Sequence, residues 1–192
     1  MIKQLFQPTP TMTTVAETSH RMPVQATSIR HKPQQLRILM VTPRYLPYMG
    51  GVENHVYQVA RRLVQAGVDI TVLTSDPSQQ LPMVEQMEGI NVRRIAAYPA
   101  RRDYHFAPAL SGMIRRGAWD LVHVQSYHTL VAPLAMWAAW RAGLPYVVTF
   151  HGGGHSSTLR NCMRGAQQTL LRPLLARAEK LIAVANFEVE HY

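Results

Sequence analysis

The chain is poor in several things, and each shortage narrows what it can be. Its one cysteine, Cys162, cannot close an internal disulfide, so the fold does not rest on oxidising conditions and a reducing cytoplasm is the expected home. Its apolar runs are short and interrupted: "LVAPLAMWAAW" (130–140) is among the longest, well short of the roughly 20 residues a spanning helix needs. No transmembrane segment is expected. Acidic residues are also scarce, eleven against twenty Lys and Arg. Residues 1–37 hold five basic residues against Glu17, and the rest of the chain holds fifteen against ten, so the excess is shared by both parts.

What is present is a globular composition, 47% apolar and 16% charged over 192 residues, enough for one domain with a buried core. Residues 1–35 are the exception. They are rich in Thr, Pro, Gln and Ser without a sustained period, and are expected to form a disordered leader. The leader lacks the apolar core of a secretory signal. From residue 36 onward, short apolar runs alternate with amphipathic stretches. "LRILMVT", "DITVLTS", "INVRRIAA", "DLVHVQS", "PYVVTFH" and "KLIAVAN" read as strands. "VENHVYQVARRLVQAG" places Val52, Val56, Val59, Ala60, Leu63 and Val64 on one helical face, with Gly67 as its stop. "FAPALSGMIRRG", "TLVAPLAMWAAWRAG" and "QQTLLRPLLARAEK" read as further helices. Nearly continuous apolar strands alternating with helices predict an α/β fold, a doubly wound and mostly parallel Rossmann-like sheet covered on both faces.

In such sheets ligands bind beyond the carboxyl ends of the strands. The loops at that edge contain Gly50 and Gly51 with Glu53 two residues on, then Gln125–Thr129, then His151 and Gly152. Adjacent glycines before a helix serve either a tight turn or a ligand that must approach the backbone. Glu53 falls in the first helical turn, where a carboxylate suits the helix dipole. His151 at a strand end is either a hydrogen-bonded loop residue or part of a site.

Ordered along the chain, "PYMGGVENHVYQVARRLVQAGVDITVLT", "WDLVHVQS", "LPYVVTFHGG" and "RAEKLIAVANFEVEH" resemble the amino-terminal domain of glycosyltransferase family 4, retaining enzymes of the two-Rossmann-domain GT-B type. The resemblance covers residues 36–192. It implies a nucleotide-sugar donor as substrate, a saccharide or lipid-linked acceptor, and no metal or other cofactor. It further implies that Gly50, Gly51, Glu53, His123 and Gly152 face the donor phosphate or the acceptor, and that His151 is catalytic, beside the transferred sugar. Transfer expels a diphosphate through an oxocarbenium-like state, and a helix amino terminus offers amides and a positive dipole end to that charge. The chain departs from the family at Gln125, where a second histidine often stands, and at Ala185 or Asn186, where a serine often follows the strand.

The family's donor-binding domain, with its two spaced glutamates, is not found within residues 1–192. The chain is therefore expected to be an acceptor-side half, inactive alone, whose donor-binding half is supplied either by a partner chain or by sequence lost through truncation. The alternative is a non-catalytic binding module that keeps the acceptor cleft. "HGGGH" and "HVQSYH" pair histidines at metal-like spacing, but the glycines argue against the helix such a pair needs. A nicotinamide-binding domain would show G-x-G-x-x-G directly after the first strand, whereas here the glycines are adjacent and eight residues beyond Thr42. The pairs Arg61-Arg62, Arg93-Arg94, Arg101-Arg102 and Arg115-Arg116 are scattered and lack the interleaved aromatics of a nucleic-acid platform. They suit a solvated surface or an anionic membrane, making a cytoplasmic enzyme peripheral to the membrane the expectation.

Overall fold

The computed structural model describes residues 35–98, 106–126, 129–151 and 169–184, all within one compact unit, Gln34–Tyr192. Strand β1 (Arg37–Thr42) lies at the centre of a seven-stranded sheet, flanked by β2 (Asp69–Asp76) and β5 (Leu121–Gln125). β4 (Ile90–Ala96) and β3 (Val84–Met87) extend the sheet beyond β2, while β6 (Tyr146–Phe150) and β7 (Lys180–Ala183) extend it beyond β5, giving the order β3-β4-β2-β1-β5-β6-β7. Every pairing is parallel except β3 with β4. The chain leaves β1 toward one side of the sheet and later returns to pair on its other side, so the strand order reverses between β1 and β5. That reversal opens a crevice at the carboxyl ends of these two strands.

Side chains alternate across the sheet, as a period of two requires. Ile38, Met40, Ile70, Val72, Ile90 and Val92 point to the face covered by α1 (Gly51–Gln65), and Leu39, Val41, Leu73, Val122 and Val124 point to the face covered by α2 (Ala109–Arg116) and α3 (Val131–Arg141). On α1, Val56 and Ala60 are fully buried, with Val52, Val59, Leu63 and Val64 packed around them, the face that the 3.6-residue period marks out. The helix ends in a Schellman motif: Gly67 takes φ +86°, its amide donates to Val64 O, and the Val68 amide donates to Leu63 O. α3 ends in the same way at Gly143. Its first turn admits Pro133 because an amide there would have no helical acceptor.

The structure adds one strand to the six expected. β3 hydrogen-bonds antiparallel to β4 through a two-residue turn, Glu88-Gly89, with φ of 46° and 83°, the positive pair that a type I′ hairpin needs. "VEQM" escaped the period-two reading because β3 is a half-exposed edge strand with no apolar face to bury. "FAPALSGMIRRG" is helical only over Ala109–Arg116. "QQTLLRPLLARAEK" is helical over 169–175 among its described residues. No helix among the described residues is long and apolar enough to cross a membrane.

Candidate functional site at the switch point

The loop from β1 into α1 is pinned from below by side chains of the neighbouring strands. Ser75 Oγ donates to Pro43 O at 2.5 Å, and Thr42 Oγ1 donates to Arg44 O at 3.0 Å. Arg94, only 3% exposed, donates to Leu46 O at 2.7 Å and to Pro82 O at 3.1 Å, and pairs with Glu85 at 2.7 Å. Tyr45 is buried beneath the same loop, and that burial raises its phenol to about 12. The path of residues 43–50, and with it the position of the helix entrance, is thus fixed by the sheet.

Gly50 is the N-cap of α1 in an extended conformation, φ −152° and ψ 179°, and the first helical bond runs from the Asn54 amide to Gly50 O at 3.0 Å. Neither glycine of the pair has a positive φ, so a strained turn does not explain them. A Cβ at Gly50 would meet the carboxylate of Glu53, the far end of a flexible side chain that folds back toward the cap from the third helical position and can swing aside. Gly51 is different. A Cβ at Gly51 would meet nothing within 4 Å, so no contact within the described structure calls for a glycine there. The amides of residues 51–53 precede the first helical bond and have no acceptor in an earlier turn.

β5 and β6 meet this helix entrance with polar residues on the α1 side of the sheet. Alternation turns Val122, Val124, Val148 and Phe150 into the opposite core and leaves His123, Gln125, Thr149 and His151 on this side. His123 Nε2 lies 2.7 Å from Thr149 Oγ1 and 3.0 Å from Gln125 Nε2, and Gln125 Oε1 lies 2.8 Å from His151 Nε2. The His151 ring then meets His55 of α1 edge-on, with centroids 5.0 Å apart. Burial first, and then the neighbouring His55 and His151, lower His123 to about 4, so that it is neutral at physiological pH.

Of the residues marked in the sequence, Gly50, Gly51 and Glu53 form the helix entrance, and His151 stands at the end of β6. His123 belongs to the same cluster, bonded to Thr149 and to Gln125, which is itself fully buried and bonds on to His151. Gly152 lies outside the described residues, as do His128 and His155 of the two metal-like spacings. The sequence reading missed His55, and it placed Gln125 at the ligand-binding edge and as a departure from the family without giving it a partner. Both were within reach: His55 is one helical turn beyond Gly51, and Gln125 shares a strand face with His123.

Among the described residues, the switch-point crevice of this doubly wound sheet brings the α1 entrance together with the polar residues of β5 and β6. Residues 50–192 match the Glycosyl transferase 4-like domain, and the chain belongs to that family, as the amino-terminal half of a GT-B type fold. It is 31% identical over 170 residues to a D-inositol 3-phosphate glycosyltransferase of Nocardiopsis dassonvillei, a similarity covering 74% of this chain and 38% of that protein. It is 29% identical over 158 residues to a GDP-mannose:cellobiosyl-diphosphopolyprenol alpha-mannosyltransferase of Xanthomonas oryzae, covering 79% of this chain and 40% of the relative. A phosphatidyl-myo-inositol mannosyltransferase of Mycobacterium leprae is 31% identical over 157 residues, again with 79% and 40% covered. The chain thus spans about two fifths of the length of these relatives. Among solved structures, sucrose-phosphate synthase from Thermosynechococcus elongatus superposes with a TM-score of 0.61 at 16% identity, over 82% of this chain and 44% of that one, a likeness of fold.

Proposed function

We propose that this domain is the acceptor side of a retaining, metal-independent glycosyltransferase. The enzyme would move a sugar from a nucleotide sugar to a saccharide or lipid-linked acceptor and needs a donor-binding half to do so. The bond between the anomeric carbon and the diphosphate oxygen breaks, a bond to an acceptor hydroxyl forms, and negative charge builds on the departing diphosphate. The helix entrance at Gly51 offers backbone amides and the positive end of the α1 dipole to that charge, and His151 stands beside the transferred sugar. Glu53, and Gly152 after β6, serve the acceptor or the donor phosphate.

The observation that carries this reading is Gly51: a glycine at a helical position, with an ordinary backbone and no described residue within 4 Å of where its side chain would be, leaves room for something that approaches from outside. The lipid-linked class of acceptor follows the relatives' names, which include a diphosphopolyprenol and a phosphatidyl-inositol substrate. It also fits exposed Arg93, Arg115 and Arg116, which line one cleft of about 530 Å³ beside Trp119. We assign those arginines to an anionic membrane surface, with the protein cytoplasmic and peripheral to the membrane. The stereochemical test is a fusion that adds the remaining part of the Nocardiopsis relative to this chain, supplied with nucleotide sugars and polyprenol-linked or inositol acceptors. A product with the anomeric configuration of the donor supports the proposal, and an inverted product overturns it.

A further inference from the structure

On the face of the sheet opposite α1, three exposed arginines share one cleft. Arg93 of β4 and Arg115 and Arg116 of α2 line a space of about 530 Å³ together with Ser111, Gly112 and Trp119, a volume ordinary for a small-ligand site. Helical side chains lean toward the amino end of their helix, and both arginines of α2 do so. Arg115 Nε donates to Ser111 O at 3.4 Å, and the Arg116 guanidinium lies back over Gly112, 3.7 Å from where a Cβ would stand. Arg93 reaches the cleft from the strand on which α2 packs. Trp119 closes one side. Its indole lies against Gly117, where any Cβ would collide with it, and its Nε1 donates to Met113 O at 3.4 Å.

No carboxylate stands among the described residues that line the cleft. Two come from neighbouring elements, and both are engaged elsewhere: Glu85 of β3 pairs with the buried Arg94 at 2.7 Å, and Asp120 accepts the Arg37 amide at 2.7 Å. Among the described residues, none forms an ion pair with Arg93, Arg115 or Arg116. Three like charges around one cleft repel each other, and a cleft lined by one sign of charge concentrates ions of the other. A guanidinium presents its N–H groups as a planar fork that matches phosphate oxygens in pairs. We infer that this cleft is a binding site for a phosphate group bearing two or more charges, a phosphomonoester or a diphosphate, with Trp119 against whatever carries it. A lipid headgroup and a free phosphorylated compound offer the same chemistry, so the site narrows the membrane assignment made above without depending on it. It is also independent of the transfer crevice, which lies on the α1 side of the sheet.

The test follows the indole N–H signals of the nitrogen-labelled 192-residue chain by NMR at fixed ionic strength. The chain has three tryptophans, and Trp119→Phe assigns the signal that matters. Inorganic diphosphate should shift the Trp119 signal along a saturating curve and leave those of Trp137 and Trp140 in place. Arg93→Lys and Arg116→Lys keep the charge and lose the fork, so each should weaken binding about tenfold, the worth of one hydrogen bond to a charged group. Thermal unfolding checks that every variant is folded. Gly51→Val should leave the response as it is. A shift that never saturates, full affinity in both lysine variants, or a response abolished by Gly51→Val would overturn the inference. Vesicles of phosphatidylcholine carrying phosphatidic acid, a phosphomonoester, or phosphatidylglycerol, a singly charged diester, at matched surface charge then identify the source. Preference for phosphatidic acid, relieved by diphosphate, assigns the site to a lipid headgroup; diphosphate binding without that preference assigns it to a free phosphate compound. Vesicle binding that ignores both headgroup and lysine variants, with no diphosphate response, would reduce the arginines to a diffuse basic surface and overturn the site.

Discussion

Replacing Gly51 with alanine separates the demands of the fold from those of the ligand. In a helix interior alanine is favoured over glycine by about 1 kcal/mol, and a gain of roughly 0.4–1 kcal/mol comes through the less flexible unfolded chain where the native backbone suits alanine. Gly51 meets that condition, because its φ is not positive and a Cβ would touch nothing within 4 Å. As the first residue of α1 it should realise the lower part of this range. Gly51→Ala is therefore expected to raise the unfolding midpoint by about 1–3 °C, given roughly 2–4 °C per kcal/mol for a domain of this size. In the fusion with a donor-binding half, the same methyl group would hold the diphosphate or acceptor away from the amides of α1. Losing one such preorganised donor typically costs about 10²–10³ in rate, so kcat/KM should fall by roughly that factor. Gly51→Val should lose at least as much activity, with stability within about 1 kcal/mol of the original, since β-branching weakens a helix only slightly. Calorimetry and initial rates on the same preparations read both quantities. A stabilised variant that transfers sugar at the original rate refutes the ligand reading, and a strongly destabilised one refutes the claim that the fold leaves this position open.

His123 makes stability depend on pH with a definite sign. Its folded value of about 4 lies below the ordinary 6.5, so the unfolded chain binds the extra proton and stability falls as pH drops from about 6.5 toward 4. By pH 5 the loss should reach about 2 kcal/mol at about 1.4 kcal/mol per pH unit; a His123→Leu variant with an unaltered slope in urea titrations between pH 5 and 7 would contradict this. Arg94→Met leaves the carbonyls of Leu46 and Pro82 without their donor and should cost about 3 kcal/mol, at roughly 1.5 kcal/mol or more for each hydrogen bond to a charged group. Hydrogen exchange should then speed up over residues 43–50; protection equal to the original would show that Arg94 does not hold the loop. Binding to anionic vesicles should weaken as salt shortens the screening length from about 10 Å at 0.1 M to about 3 Å at 1 M. The double change Arg115→Ser with Arg116→Ser should weaken it roughly thirtyfold at low salt, from about 1 kcal/mol per basic residue, and no change on sedimentation would remove α2 from the membrane-facing surface.

The sheet was legible in the sequence because its inner strands are buried on both faces and read as apolar runs, from "RILMVT" to "YVVTF". The helix ends were legible where Gly67 and Gly143 supply the left-handed residue. β3 was not, since an exposed edge strand has no apolar alternation, and its one mark was the turn pair Glu88-Gly89. At the site, spacing alone located the helix entrance and the ends of β5 and β6. What it could not give was depth. Whether His123 lines the crevice or backs it depends on how Thr149 and Gln125 cross between two strands that are 26 residues apart in the chain for each contact. The same holds for the two glycines, which look equivalent in "GGVE" until the Glu53 carboxylate is seen to lie over Gly50 while no described residue comes within 4 Å of a Cβ at Gly51.

The most direct test of the central claim is the rate of sugar transfer from a panel of labelled nucleotide sugars to a polyprenol-linked acceptor, measured with a chelator present. It should compare the 192-residue chain alone with its fusion to the donor-binding half. The account predicts no transfer by the chain alone and metal-independent transfer by the fusion, at a rate lowered in Gly51→Val. Turnover by the chain alone at about 1 per second or faster, on the ordinary enzyme scale, or a fusion that stops when metal is withdrawn, would contradict it.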